Sequence, residues 1–216
     1  MKKIANICLN VYRETMFKTI DNGMREIGGV ITHQNEFKYT KQGHQKMIEP
    51  HCEPGFLADW HTHPPYSVMR SPKEDIYFLP PSEADLYTSL LNGALGHNKY
   101  SVVFSVEGVY VIKIRKTAID KFRNELEKNK IDLDNENLQK CDYVLKPDVK
   151  NGFFYGFKKS AKFPYLSQLV GTRIVTKILM YEKSFDEGFK KYCDHFETLG
   201  IKCRFYKPDD LIKQHK

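Results

Sequence analysis

His61-Thr62-His63 sets two imidazoles two residues apart. In an extended segment both side chains leave the same face and can reach one ion. A catalytic zinc typically takes three protein ligands and keeps a further position for water, so the pair calls for a third donor. Asp85, at the start of the next helical pattern, is placed to supply it. An ion held there would polarise a water molecule and lower its pKa towards about 7. Such a water needs a base to take its proton and hand it to a departing amine, and a carboxylate just outside the ligand set is the usual solution. Glu26, immediately before Ile27-Gly28-Gly29, is the candidate base. Ser82, three residues ahead of Asp85, could donate its hydroxyl to the oxyanion that forms as a carbonyl is attacked, a role in which one donor is worth about 2.7–4 kcal/mol. The chemistry predicted is metal-assisted hydrolysis of an amide bond.

Taken in order, Glu26 before a Gly-Gly strand, His61-Thr62-His63-Pro64 and Pro81-Ser82-Glu83-Ala84-Asp85-Leu86 resemble the E…H-[ST]-H-P…P-S-x-x-D signature of JAMM (MPN-plus) zinc metalloproteases, in the prokaryotic JAB-like form. The resemblance covers roughly residues 1–115. It implies an α/β, cytidine-deaminase-like JAMM/MPN fold with a mixed β-sheet flanked by helices. It also implies Zn2+ as cofactor and a metallo-isopeptidase or peptidase activity of the deubiquitinase kind, cutting the amide bond after the C-terminus of a ubiquitin-like or sulfur-carrier protein. Carried over by position, Glu26 is the base, His61, His63 and Asp85 are the ligands, and Ser82 is the oxyanion donor.

The spacing departs from the family, whose gap between second histidine and serine is shorter than the stretch from Pro64 to Pro81 here. At the family's distance stands Ser71-Pro72-Lys73-Glu74, a rival serine and acid. Residue identity favours Ser82 and Asp85: that serine follows a proline, that acid is an aspartate, and the helix it opens continues through Leu86 and Leu90. A helix begun at Ser71 would meet Pro80-Pro81, which break it. The longer stretch carries Tyr66, Met69, Tyr77 and Phe78, which read either as a grip or cover over the site or as a surface loop packed on its own aromatics.

The elements that must position these groups follow from periodicity. Residues 9–22 read as a helix, and residues 28–31 and 36–40 as strands joined at Gln34-Asn35. Phe56–Trp60 reads as a strand ending at His61, which hangs the histidine pair at a strand terminus. Ser82 is an N-cap for a helix carrying Leu86, Leu90 and Ala94 and running to about Gly93–Gly96. Residues 100–106 and 109–114 form a hairpin around Glu107-Gly108. Beyond Lys116 a helix over 118–128 leads to a polar segment, 129–139, which marks the expected boundary between a JAMM/MPN-plus domain, 1–128, and a C-terminal α/β extension, 129–216. In the extension, Ser184 and Glu187 form the pattern of a capping box. The helix they open carries Phe185, Phe189, Tyr192, Cys193 and Phe196 on one side, Gly200 ends it, and residues 201–206 read as a strand.

With 41% hydrophobic and 28% charged residues, 14 Phe and 13 Tyr, the 216-residue chain has the balance of a globular protein with a real core. Five scattered cysteines, Cys8, Cys52, Cys141, Cys193 and Cys203, form no C-x-x-C pair, which points to reduced thiols in a cytoplasmic protein. Asn6, Asn10 and Arg13 interrupt the N-terminal apolar pattern, so neither a signal core nor a membrane partner is expected. The net charge of +7 collects in the second half: 13 basic against 12 acidic residues in 1–115, but 21 against 15 in 116–216. A surplus of this kind reads first as a solvated face, and otherwise as a surface for an acidic protein or nucleic acid. Phe153, Phe154, Tyr155, Phe157 and Tyr165 are the aromatics expected to recognise the modifier or its conjugate. The alternative function is a RadC-like metal-binding module that acts with nucleic acid and has no peptidase activity. His51-Cys52-Glu53 has the H-x-E form of zinc nucleobase deaminases but lacks their P-C-x-x-C partner. His33, His44, His97, His195 and His215 fall in no ligand pattern. Separately a histidine or a Ser-x-x-Asp is commonplace, and only the ordered set carries the reading.

Overall fold

Apolar residues recur at the helical period from the start of the chain, and Ile4, Ala5, Cys8, Leu9, Tyr12 and Met16 are buried along one side of α1 (Lys2–Asp21). The computed structural model describes residues 1–42, 55–64, 78–97, 100–133, 164–166, 168, 175–176, 179–180 and 184–208. The helix expected over 9–22 thus begins at Lys2, because the polar Asn6 and Asn10 lie off the buried stripe. None of the described helices is long and apolar enough to cross a membrane.

After α1 come β1 (Ile27–Thr32), β2 (Phe37–Gln42), β3 (Phe56–Thr62), α2 (Glu83–Leu95), β4 (Tyr100–Ser105), β5 (Gly108–Ile114), α3 (Lys116–Lys128), α4 (Phe185–Thr198) and β6 (Ile201–Tyr206). The strands form one six-stranded mixed sheet in the order β2-β1-β3-β4-β5-β6. Neighbours run antiparallel except β3 and β4, a parallel pair that α2 connects. Such a pair needs a crossover, and a helix supplies the usual one.

Strict alternation along the central strands fills both faces. Val102, Phe104, Val109 and Val111 join the α1 residues in one cluster, while Val103, Tyr110 and Ile112 join α2, α3 and α4 in the other. The architecture is therefore a mixed sheet flanked by helices. At Gly29 on β1 the chain tolerates no side chain, since a Cβ would stand 1.9 Å from the Lys38 carbonyl oxygen and 2.8 Å from the Trp60 ring. Trp60 uses that gap to stack on Phe37, with centroids 4.4 Å apart.

Among the described residues beyond 128, expected as an extension, one strand returns to the same sheet. β6 pairs antiparallel with β5, and Tyr192, Phe196, Leu199 and Ile201 share a core with Leu86, Val103 and Tyr110. Sheet and core both cross the expected boundary. The capping box expected of Ser184 and Glu187 does not form: Ser184 stands at the N-cap position of α4 without a side-chain hydrogen bond to the helix. That helix is held by its aromatic side, where Phe185 packs on Phe189 and Phe205 at 5.1 and 4.5 Å.

Candidate metal centre

The pleat of β3 sorts its side chains. Ala58 and Trp60 enter the α1-side cluster, so His61 faces the side on which α2 lies. Pairing continues one residue past the strand, where the His63 amide donates to the Phe104 carbonyl at 2.7 Å, and His63 therefore stays on the face of His61. Thr62, between them, turns to α1: its hydroxyl is hydrogen-bonded to that of Thr19 at 3.2 Å and accepts from the Ile27 amide at 3.1 Å. Gly28 of β1 lies opposite His61 in the antiparallel register, and opposed residues share a face. Continuing that register by two residues brings Glu26 level with His63, on the same face and 9% exposed.

Asp85 arrives from the other direction. Ser82 caps α2, accepting at its Oγ from the Asp85 amide at 3.3 Å, while Asp85 Oδ2 accepts from the Ser82 amide at 2.5 Å, a reciprocal capping box. Gly96, left-handed at φ 77, ends the same helix. The box fixes the Asp85 carboxylate so that Oδ1 lies 3.1 Å from His61 Nε2 and Oδ2 lies 3.3 Å from His63 Nε2, the two imidazole nitrogens being 3.3 Å apart. His63 Nδ1 lies 3.2 Å from the Leu79 carbonyl oxygen. A proton on Nδ1 satisfies that carbonyl and leaves the Nε2 lone pair for a metal, as ligating histidines generally require.

His61, His63 and Asp85 form a group able to hold a metal ion. Bonds of about 2.0–2.1 Å in a tetrahedron set ligand atoms about 3.3 Å from one another; the two imidazole nitrogens stand at that distance, each has one Asp85 oxygen at 3.1 or 3.3 Å, and one ligand atom from each residue lies within 4.8 Å of the other two. The field also favours a cation. Burial works to raise the Asp85 carboxyl, yet the two histidines hold it well below the usual carboxylate range. Burial works to lower both imidazoles, yet Asp85 raises them, His63 to about 9. In Glu26 burial prevails and lifts the carboxyl above its ordinary value, against the opposing pull of His63 and His61. These four groups therefore sense one another, and a divalent ion entering among them would displace protons.

Of the residues singled out by the sequence, the structure thus brings His61, His63, Asp85 and Ser82 into contact and sets Glu26 beside them. Ser71 to Glu74, Tyr66, Met69, Tyr77, His51 to Glu53, Cys52, Cys141 and the aromatics at 153–157 lie outside the described residues. Phe78 packs on Phe185 at 4.8 Å. Tyr165, expected at a recognition surface, is instead a core residue, 6% exposed and donating its hydroxyl to the Leu199 carbonyl at 2.7 Å. Cys8 and Cys203 are buried free thiols and Cys193 is half-buried and free. Three participants escaped sequence reasoning: the Leu79 carbonyl on His63, Glu107, which accepts from the Leu79 amide at 2.7 Å, and Tyr192, which donates to the Pro81 carbonyl at 2.7 Å. Glu107 reads locally as a turn residue and Tyr192 as part of an apolar helix face.

No protein-family model matches this chain, and no curated protein or solved structure is found to be similar to it.

Proposed function

We propose that this protein is a zinc-dependent metallo-isopeptidase or peptidase of the JAMM type, hydrolysing the amide bond that follows the C-terminus of a ubiquitin-like or sulfur-carrier protein. The observation that carries the proposal is the convergence of His61, His63 and Asp85 at 3.1–3.3 Å with Glu26 buried on the same face. Two imidazoles and a carboxylate suit zinc among the common divalent ions, and three protein ligands leave a position open. The β3–α2–β4 crossover within a helix-flanked mixed sheet is compatible with a JAMM/MPN-like fold.

When bound, the ion supplies Lewis acidity that polarises a carbonyl and lowers the pKa of water. The chain's own groups do the rest. Glu26 takes a proton from the attacking water and delivers it to the amine nitrogen, so that the carbonyl carbon gains oxygen as its bond to nitrogen breaks. Burial supports this shuttle, because a carboxylate with a raised proton affinity is a better base than an exposed one. Ser82 accepts the Asp85 amide through its oxygen, which leaves the hydroxyl proton available to the oxyanion.

Zinc analysis of the purified chain, followed by incubation with ubiquitin-like proteins carrying C-terminal fusions, tests the reading. Stoichiometric zinc and cleavage abolished by a chelator are expected. Bound zinc without cleavage of any fusion, together with nucleic-acid binding that weakens steeply with salt, would transfer the site to the RadC-like alternative.

A further inference from the structure

The segment Phe78–Ser82 returns the chain from the histidine pair to α2 and is tied to four places at once. The Phe78 ring packs on Phe185 of α4 at 4.8 Å. The Leu79 amide donates to Glu107 Oε1 in the β4–β5 turn at 2.7 Å, and the Leu79 carbonyl faces His63 Nδ1 at 3.2 Å. The Pro81 carbonyl accepts from the buried Tyr192 hydroxyl of α4 at 2.7 Å, and the Ser82 amide donates to Asp85 Oδ2 at 2.5 Å. Pro80 and Pro81 have fixed φ angles, so displacement of one anchor carries along the strap.

The strap therefore touches two of the three ligands directly. Its carbonyl sets the tautomer and ring orientation of His63, and its last amide pins the oxygen that Asp85 turns towards His63. A metal tolerates ligand displacements of only about 0.2 Å. Neither Glu107 nor Tyr192 ligates; each acts one hydrogen bond further out. Glu107 Oε1 also accepts from the Tyr110 hydroxyl at 2.7 Å, while its Oε2 is buried without a partner. One acceptor oxygen carries both bonds, so a glutamine could preserve them.

We propose that Glu107 and Tyr192 are positioning residues of the metal centre, holding the 78–82 strap, through Leu79 and Pro81, where it orients His63 and Asp85. The inference rests on the metal-binding part of the function proposed above and makes α4 a component of the site.

The test is zinc affinity of the full chain, measured by competition with a chromogenic chelator, beside thermal unfolding of the metal-free proteins. Tyr192→Phe deletes only the hydroxyl and is expected to weaken zinc binding about 10–100-fold, the usual effect of losing an outer hydrogen bond of a metal site. Glu107→Ala should do the same, and Glu107→Gln should recover most of the loss. Tyr165→Phe is the control, removing an equally buried hydroxyl that donates to Leu199 away from the site. It should lower thermal stability and leave zinc affinity unchanged. Wild-type affinity in a folded Tyr192→Phe, or equal losses in Tyr165→Phe and Tyr192→Phe, would overturn the inference while leaving the metal centre standing. If Glu107→Ala does not fold, Tyr192→Phe alone decides. Failure of the wild-type chain to bind zinc would instead overturn the metal centre, and this inference with it.

Discussion

His61, Glu26 and the backbone of His63 are set in place by the pleat and register of β1, β3 and β4, whereas Asp85, Ser82 and the ring of His63 follow a strap anchored by single side chains. The sheet side rests on backbone hydrogen bonds that truncating a side chain leaves in place. The strap side rests on one carboxylate and one phenol, each of which a point substitution can delete. One half of the centre is thus tolerant of change in its surroundings, and the other is sensitive to residues that never touch the ion.

The most severe tests remove a ligand from each half. His61→Ala and Asp85→Ala should each abolish zinc binding and cleavage, whereas Glu74→Ala, outside the described residues, should retain zinc. A zinc-free Glu74→Ala beside a zinc-loaded Asp85→Ala would reassign the third ligand and take Ser82 with it. Next in size, Glu26→Gln should keep zinc and lower kcat about 10²–10⁴-fold, since proton transfer is lost and no ligand is. Turnover at the wild-type rate would remove Glu26 from the mechanism.

Two smaller effects bear on the sheet side alone. Gly29→Ala forces a Cβ against the Lys38 carbonyl at 1.9 Å, and overpacking of this kind costs about 1–3 kcal/mol, read as a lower urea midpoint. An unchanged midpoint would show that β2 yields easily there. Thr19→Val deletes the hydroxyl bonded to Thr62 at 3.2 Å and should cost about 1 kcal/mol of stability with zinc affinity unmoved. A fall in affinity would show that α1, too, positions the histidines, and the contrast between the halves would blur.

Much of the site was legible because its signals are local. The cap at Ser82, the aspartate in the first turn of α2, the glycine at its end and the turn at Asn35, left-handed at φ 69, each depend on a few adjacent residues. What could not be read depends on distance along the chain. Nothing near Glu26 states that β1 pairs with β3, which is what brings it to His63. The Leu79–Glu107 bond spans 28 residues and the Tyr192–Pro81 bond 111, and a tyrosine on an apolar stripe looks the same whether its hydroxyl serves a core or a metal site. Ser184 shows the converse: the capping pattern is present, yet aromatic packing sets that helix and the cap bond is not made.

The tie between Tyr192 and Pro81, 111 residues apart, also sets a timetable. Ribosomes add about 5–20 residues per second, so the strap is synthesised roughly 5–20 s before the tyrosine that holds it. Through that interval both histidines exist, while β5 still lacks its neighbour β6. An ion arriving then would meet a strap that can be tied at Leu79 to Glu107 but not yet at Pro81 to Tyr192. The last anchor of the candidate metal centre is thus added only when α4 has been made and docked.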